Sequence, residues 1–104
     1  MGNDELRING GTAIAGEGND LVVGDFRSDK VDGGPGDDQI FGRAGPDELR
    51  GGPGRDRIAG EKGNDNLFGD EGDDFVVGQG GTDRCDGGAG TDATTTCEVL
   101  VNFP

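Results

Sequence analysis

The chain has 104 residues, of which only 29% are hydrophobic, and 22 acidic residues against nine basic ones give a formal net charge of −13. So little apolar material under so much like charge does not make an ordinary globular core, and 24 glycines add to the entropy lost on ordering. Basic residues scattered among acids disfavour a nucleic-acid partner, no apolar run has the length of a membrane span, and a chain with no His and a single Ser cannot build a Ser–His or Cys–His pair.

Residues 2–7, Gly-Asn-Asp-Glu-Leu-Arg, are a faint copy of a unit that recurs further along the chain, but Asp4 precedes Asp20 by 16 residues and the register slips across 8–14. This stretch, 1–14, is expected to be a degenerate first coil that caps a stack, with Leu6, Ile8 and Ile14 covering its open end.

From residue 15 to 95 the chain repeats every nine residues. Aspartates recur as Asp20, Asp29, Asp38, Asp47, Asp56, Asp65, Asp74, Asp83 and Asp92. Two residues after each comes Val22, Val31, Ile40, Leu49, Ile58, Leu67, Val76, Cys85 or Thr94. Rows of distinct chemistry at a fixed period indicate a stacked solenoid. The first six positions of each repeat are glycine-rich and can turn tightly with their carbonyls aimed inward. The last three form a short strand whose middle side chain points in. Two turns and two strands make one 18-residue coil.

Residues 33–41, Gly-Gly-Pro-Gly-Asp-Asp-Gln-Ile-Phe, and 51–59, Gly-Gly-Pro-Gly-Arg-Asp-Arg-Ile-Ala, fit the pattern G-G-x-G-x-D-x-U-x, where U is a large aliphatic; 60–68 and 69–77 lack only its second glycine. The chain thus resembles the RTX family of calcium-binding nonapeptide repeats, whose motif is a known β-helix signature. The resemblance implies an all-β fold, a right-handed parallel β-roll with calcium between stacked turns. Calcium prefers hard oxygens from carboxylates and carbonyls, and the turns offer both. One edge carries Asp20, Asp38, Asp56, Asp74 and Asp92 with the turn glycines Gly18, Gly36, Gly54, Gly72 and Gly90. The other carries Asp29, Asp47, Asp65 and Asp83 with Gly45, Gly63 and Gly81. An ion between each pair of neighbouring turns gives four sites on the first edge and three on the second. Seven divalent ions nearly cancel the formal −13. Arg27 stands where the pattern has glycine and opposes both turn and ion, so the Asp29/Asp47 site ranks weakest.

Cys85 takes an inward position in the last full repeat, with Cys97 twelve residues on. Two cysteines so close in a secreted-type repeat favour a disulfide; the alternative is a buried free Cys85 and an unrelated Cys97. Residues 96–104 are then a cap tied down by that bond, with Val99, Leu100, Val101 and Phe103 folding over the end.

The outward positions differ between the two sheets. One shows Leu21, Val23, Gln39, Phe41, Arg57, Ala59, Phe75 and Val77; the other shows Lys30, Asp32, Glu48, Arg50, Asn66, Phe68, Arg84 and Asp86. On the first, Val23, Phe41, Ala59 and Val77 form a continuous apolar stripe, which suggests docking to a second copy or to a neighbouring domain. The close acid pairs fall in turns that calcium accounts for, so no enzymatic activity is expected. The chain reads as a piece of a longer secreted, extracellular protein. Two functions fit it: a module that folds on binding calcium outside the cell, or a structural and adhesive solenoid working through its apolar sheet.

Overall fold

A computed structural model describes residues 5–7, 11–24, 29–88, 90, 93–95, 97 and 99–101. Its strands are β1 (Glu5–Arg7), β2 (Gly11–Ile14), β3 (Leu21–Val23), β4 (Asp29–Asp32), β5 (Gln39–Phe41), β6 (Glu48–Arg50), β7 (Arg57–Ala59), β8 (Asn66–Phe68), β9 (Phe75–Val77), β10 (Arg84–Asp86), β11 (Ala93–Thr95) and β12 (Val99–Val101). Odd-numbered strands form one six-stranded sheet in the order β1-β3-β5-β7-β9-β11, and even-numbered strands form the second, from β2 at one end to β12 at the other. Each described pairing is parallel. This is a β-solenoid, as the nine-residue period implies. Among the described residues no helix is long and apolar enough to cross a membrane.

The 18-residue register holds from Val22↔Ile40 to Ile58↔Val76 in the first sheet and from Val31↔Leu49 to Leu67↔Cys85 in the second. It places two rows of inward side chains face to face. Val22, Val31, Ile40, Leu49, Ile58, Leu67, Val76 and Cys85 are each no more than 3% exposed. Each coil gives the core only one side chain from each sheet, so the coils depend on bonds between their backbones as much as on apolar burial. Those bonds continue through the turns: the N–H of Gly36 donates to the carbonyl of Pro53 at 3.1 Å, and that of Gly33 to the carbonyl of Arg50 at 2.8 Å.

The ends depart from this register. Leu6 pairs with Val22, an offset of 16, whereas Ala13 pairs with Val31, an offset of 18. The slip of two residues therefore falls between β1 and β2 and leaves the faces unchanged: Ala13 takes the inward row opposite Val31, and Ile14 is 72% exposed. The expectation that Ile14 covers the core is corrected by this pairing; Ile8 lies outside the described residues. At the other end Cys85 pairs with Leu100, an offset of 15, so β12 joins the second sheet after a shortened coil. Phe103 lies outside the described residues.

Cys85 and Cys97 form a disulfide with Cα atoms 6.1 Å apart, and Cys97 packs against the core cluster. The bond ties the short final coil to the last full one, where the aliphatic row gives way to Thr94. Closing a loop of this size stabilises a fold by about 3 kcal/mol in the chain-entropy account. Reduction, or Cys97→Ser, is expected to lower stability in calcium by about that much, read as a shift of the urea midpoint.

Candidate metal centre

Each described turn is built around two positions of left-handed backbone, the second of them a glycine. In the turn before β5, Gly34 has φ 81° and Gly36 φ 118°. A Cβ on Gly36 would collide with the carbonyl oxygen of Gly18 in the preceding coil. That carbonyl is aimed along the stack into the space between turns, as are those of Gly36 toward Gly54 and Gly54 toward Gly72. All eight glycines singled out from the sequence, Gly18, Gly36, Gly45, Gly54, Gly63, Gly72, Gly81 and Gly90, have positive φ, from 89° to 118°.

The aspartates line the turns from the core side, where a Cβ on Gly33, Gly51 or Gly60 would meet Oδ2 of Asp38, Asp56 or Asp65. Asp20, Asp38, Asp47, Asp56, Asp65, Asp74 and Asp83 are 0–3% exposed. One carboxylate oxygen of each successive coil holds the coil before it. The N–H of Asp20 donates to Oδ1 of Asp38, that of Asp38 to Asp56 and that of Asp56 to Asp74, each at 2.8 Å. On the second edge the N–H of Asp47 donates to Asp65 at 2.8 Å and that of Asp65 to Asp83 at 2.9 Å. The other oxygen, Oδ2, of Asp38, Asp56 and Asp65 is buried and accepts no hydrogen bond. Asp92 and Arg27 lie outside the described residues. The backbone of Asp29 opens β4 and pairs with Gly11.

Burial without a counter-charge is unfavourable for a carboxylate. Burial pushes Asp56 and Asp65 up to about 8, and like-charged aspartates one coil away add to the rise; the backbone hydrogen bond to each works against it. Asp38 is raised to about 6, again chiefly by burial. The sign of the consequence is fixed. A carboxyl whose folded pKa exceeds its unfolded value holds its proton in the fold, so the metal-free fold gains stability as pH falls. In chelator, β signal in far-UV circular dichroism is expected to grow as pH drops through the window from about 8 to the ordinary 3.8.

Among the described residues no three acidic, His or Cys side chains converge on one point. Carboxylates alone therefore do not complete a site here. A hard cation that takes six to eight oxygens completes its shell with backbone carbonyls or water, and the turn glycines offer carbonyls aimed along the stack. Buried, unbonded carboxylate oxygens beside inter-turn carbonyls fit calcium. The family model of the RTX calcium-binding nonapeptide repeat matches this chain in four overlapping copies, at residues 14–49, 32–67, 41–76 and 60–93.

The chain belongs to the RTX calcium-binding nonapeptide-repeat family.

No curated protein and no solved structure matches it. Two features of this RTX solenoid lie outside the repeat motif. The position before the aspartate, open to any residue in the motif, carries a second ladder: Asn19 Oδ1 accepts the N–H of Asp37 at 2.8 Å, Asp37 Oδ1 that of Arg55 at 2.9 Å, and Asn64 Oδ1 that of Thr82 at 2.8 Å. The second glycine of the motif is replaced by Arg43, Glu61, Asp70 and Gln79, which keep a left-handed backbone at φ 66–69°. Such a conformation costs a side-chain-bearing residue roughly 1–2 kcal/mol.

Proposed function

We propose that this RTX solenoid is a calcium-responsive folding module of a secreted protein, unfolded where calcium is scarce and folded cooperatively where it is abundant. The observation that carries the reading is the row of buried aspartates, in which Oδ2 of Asp38, Asp56 and Asp65 accepts no hydrogen bond. Burying such a row opposes folding through desolvation and like charge. A divalent cation between turns supplies the missing positive charge, and metal binding and folding become one equilibrium.

The proposed ligands on the first edge are the pairs Asp20/Asp38, Asp38/Asp56, Asp56/Asp74 and Asp74/Asp92, with carbonyls of Gly18, Gly36, Gly54, Gly72 and Gly90. On the second edge they are Asp29/Asp47, Asp47/Asp65 and Asp65/Asp83, with Gly45, Gly63 and Gly81. That makes up to about seven Ca²⁺. The role is structural, without catalysis. An oxidising, extracellular setting suits the Cys85–Cys97 disulfide.

The test is far-UV circular dichroism of chelated protein titrated with calcium, the disulfide intact or reduced. A cooperative rise of β signal with calcium and none with magnesium supports the reading. Full β signal in chelator would overturn it, leaving calcium as a rigidifier of a fold that stands alone. A second reading, a structural solenoid that docks through its apolar sheet, is favoured by the half-buried outward side chains Val23, Phe41 and Val77.

A further inference from the structure

The two faces of the slab are finished differently. Over the second sheet, Lys30 pairs with Glu48 at 3.8 Å, Arg50 with Asp70 at 3.4 Å, and the Arg50 guanidinium lies 4.5 Å from the Phe68 ring centre. The first sheet presents two apolar-rich rows that run along the stack two residues apart on each strand. Leu21, Gln39, Arg57 and Phe75 form one row, and Val23, Phe41, Ala59 and Val77 the other. Phe75 is 38% exposed, while Ala59, small and flanked by Phe41 and Val77, is only 7% exposed and forms a dip in its row. Arg43 and Glu61 wall this face along one rim, since they line a single groove with Leu21, Val23 and Phe41. Both hold the left-handed backbone that favours glycine, so large charged side chains are kept on that rim against a conformational cost.

We propose that the first sheet is the interface of a two-fold dimer, a second copy of this chain packing face to face about an axis parallel to the strands and midway between β5 and β7. Such an axis keeps each row over the same row of the partner and reverses the order of the coils. Phe41 then meets Ala59, large over small, and does so twice. Val23 meets Val77, Leu21 meets Phe75, and the Gln39 amide meets the Arg57 guanidinium. At the rim Arg43 faces Glu61. At the opposite rim Asp37 and Arg55, also one coil apart, are of opposite sign and face each other. These central contacts are complementary in size, charge or polarity, as an isologous interface requires, while the end strands bring the positions of Glu5 and Arg7 opposite those of Ala93 and Thr95.

The available area suffices. Stacked sheets lie about 10 Å apart, so the shortest of the 33 × 30 × 14 Å extents is the slab thickness and the longer two span a face. A face of that size exceeds the roughly 800 Å² per partner of a standard interface. A two-fold along the stack is the rival arrangement. It sets Phe41 over Gln39 and Ala59 over Arg57, and loses the apolar matching.

The test is sedimentation equilibrium in saturating calcium, with circular dichroism on the same samples to separate loss of pairing from loss of fold. The parent is expected at twice the 10.6 kDa of one chain. Arg43→Glu and Glu61→Arg should each raise the dimer dissociation constant by roughly tenfold or more, and the double exchange should restore it. Neither substitution alters the left-handed backbone or a proposed ligand. A monomeric parent with full β signal overturns the proposal. A double exchange as weak as the singles overturns the axis, because along the rival axis position 43 faces Asp37, and Arg43→Glu sets two acids together there whatever stands at position 61.

Discussion

Asp56→Asn is expected to cost the calcium-loaded fold about 3 kcal/mol, which, spread over about seven ions taken up as the chain folds, raises the calcium concentration at the folding midpoint about twofold, while leaving the chelated protein at least as structured as the parent. Asp56 occupies the middle of the first edge, where the proposal gives it to two ions at once. Its Oδ1 takes the N–H of Asp38, and its own N–H goes to Asp74. Asparagine keeps the shape and that acceptor and removes the charge. In chelator the charge is a liability, since burial holds the Asp56 carboxyl up at about 8. The same substitution should thus act in opposite directions with and without metal. A loss of similar size in both conditions would mean that Asp56 serves only the backbone ladder. Asp29→Asn, within the repeat broken by Arg27, should shift the calcium midpoint less.

Gly54→Ala should be at least as damaging, by about 3–4 kcal/mol in calcium. Gly54 has φ 114°, and an added methyl would meet the carbonyl of Gly36. That carbonyl belongs to the neighbouring coil and is a proposed ligand, so the methyl both strains its own turn and wedges two coils apart. Gly80→Ala makes the control. A Cβ there meets nothing closer than the Cα of Lys62 at 4.0 Å, and the change should stay within about 0.5 kcal/mol. Urea midpoints for the two variants in saturating calcium decide the matter. Equal losses would show that glycine content, rather than this close approach, is what the turns need.

The middle of this fold was legible because period and chemistry agree there. Every inward aliphatic from Val22 to Val76 and every aspartate from Asp38 to Asp83 in the two ladders sits where a nine-residue count places it, since each coil meets only copies of its own pattern. Legibility failed where the count breaks. Ile14 is apolar and follows the slip, so hydrophobicity alone assigns it inward; the pairing of β2 with β4 decides instead for Ala13. The Asn19–Asp37–Arg55 ladder was hidden because its members differ in type and share only an acceptor or a backbone N–H, which emerges when two coils are stacked. The anchoring of each Asp Oδ1 by the preceding coil was equally out of sight, because a carboxylate aimed at an ion and one aimed at an amide read alike in sequence. Glu61 and Asp70 stand where the motif has its second glycine, yet they keep its backbone angle.

The constant offset of 18 between paired residues also governs how such a protein can be inherited. Duplicating or deleting 18 residues within the regular stretch lengthens or shortens the stack and leaves every surviving residue with neighbours of the same kind. Duplicating or deleting nine exchanges the two edges and the two faces for everything downstream, sending an apolar outer row to the charged side. Unequal recombination among near-identical repeats generates both products. Only the even-numbered ones keep the faces in phase, so descendants of this gene should differ in length by whole coils.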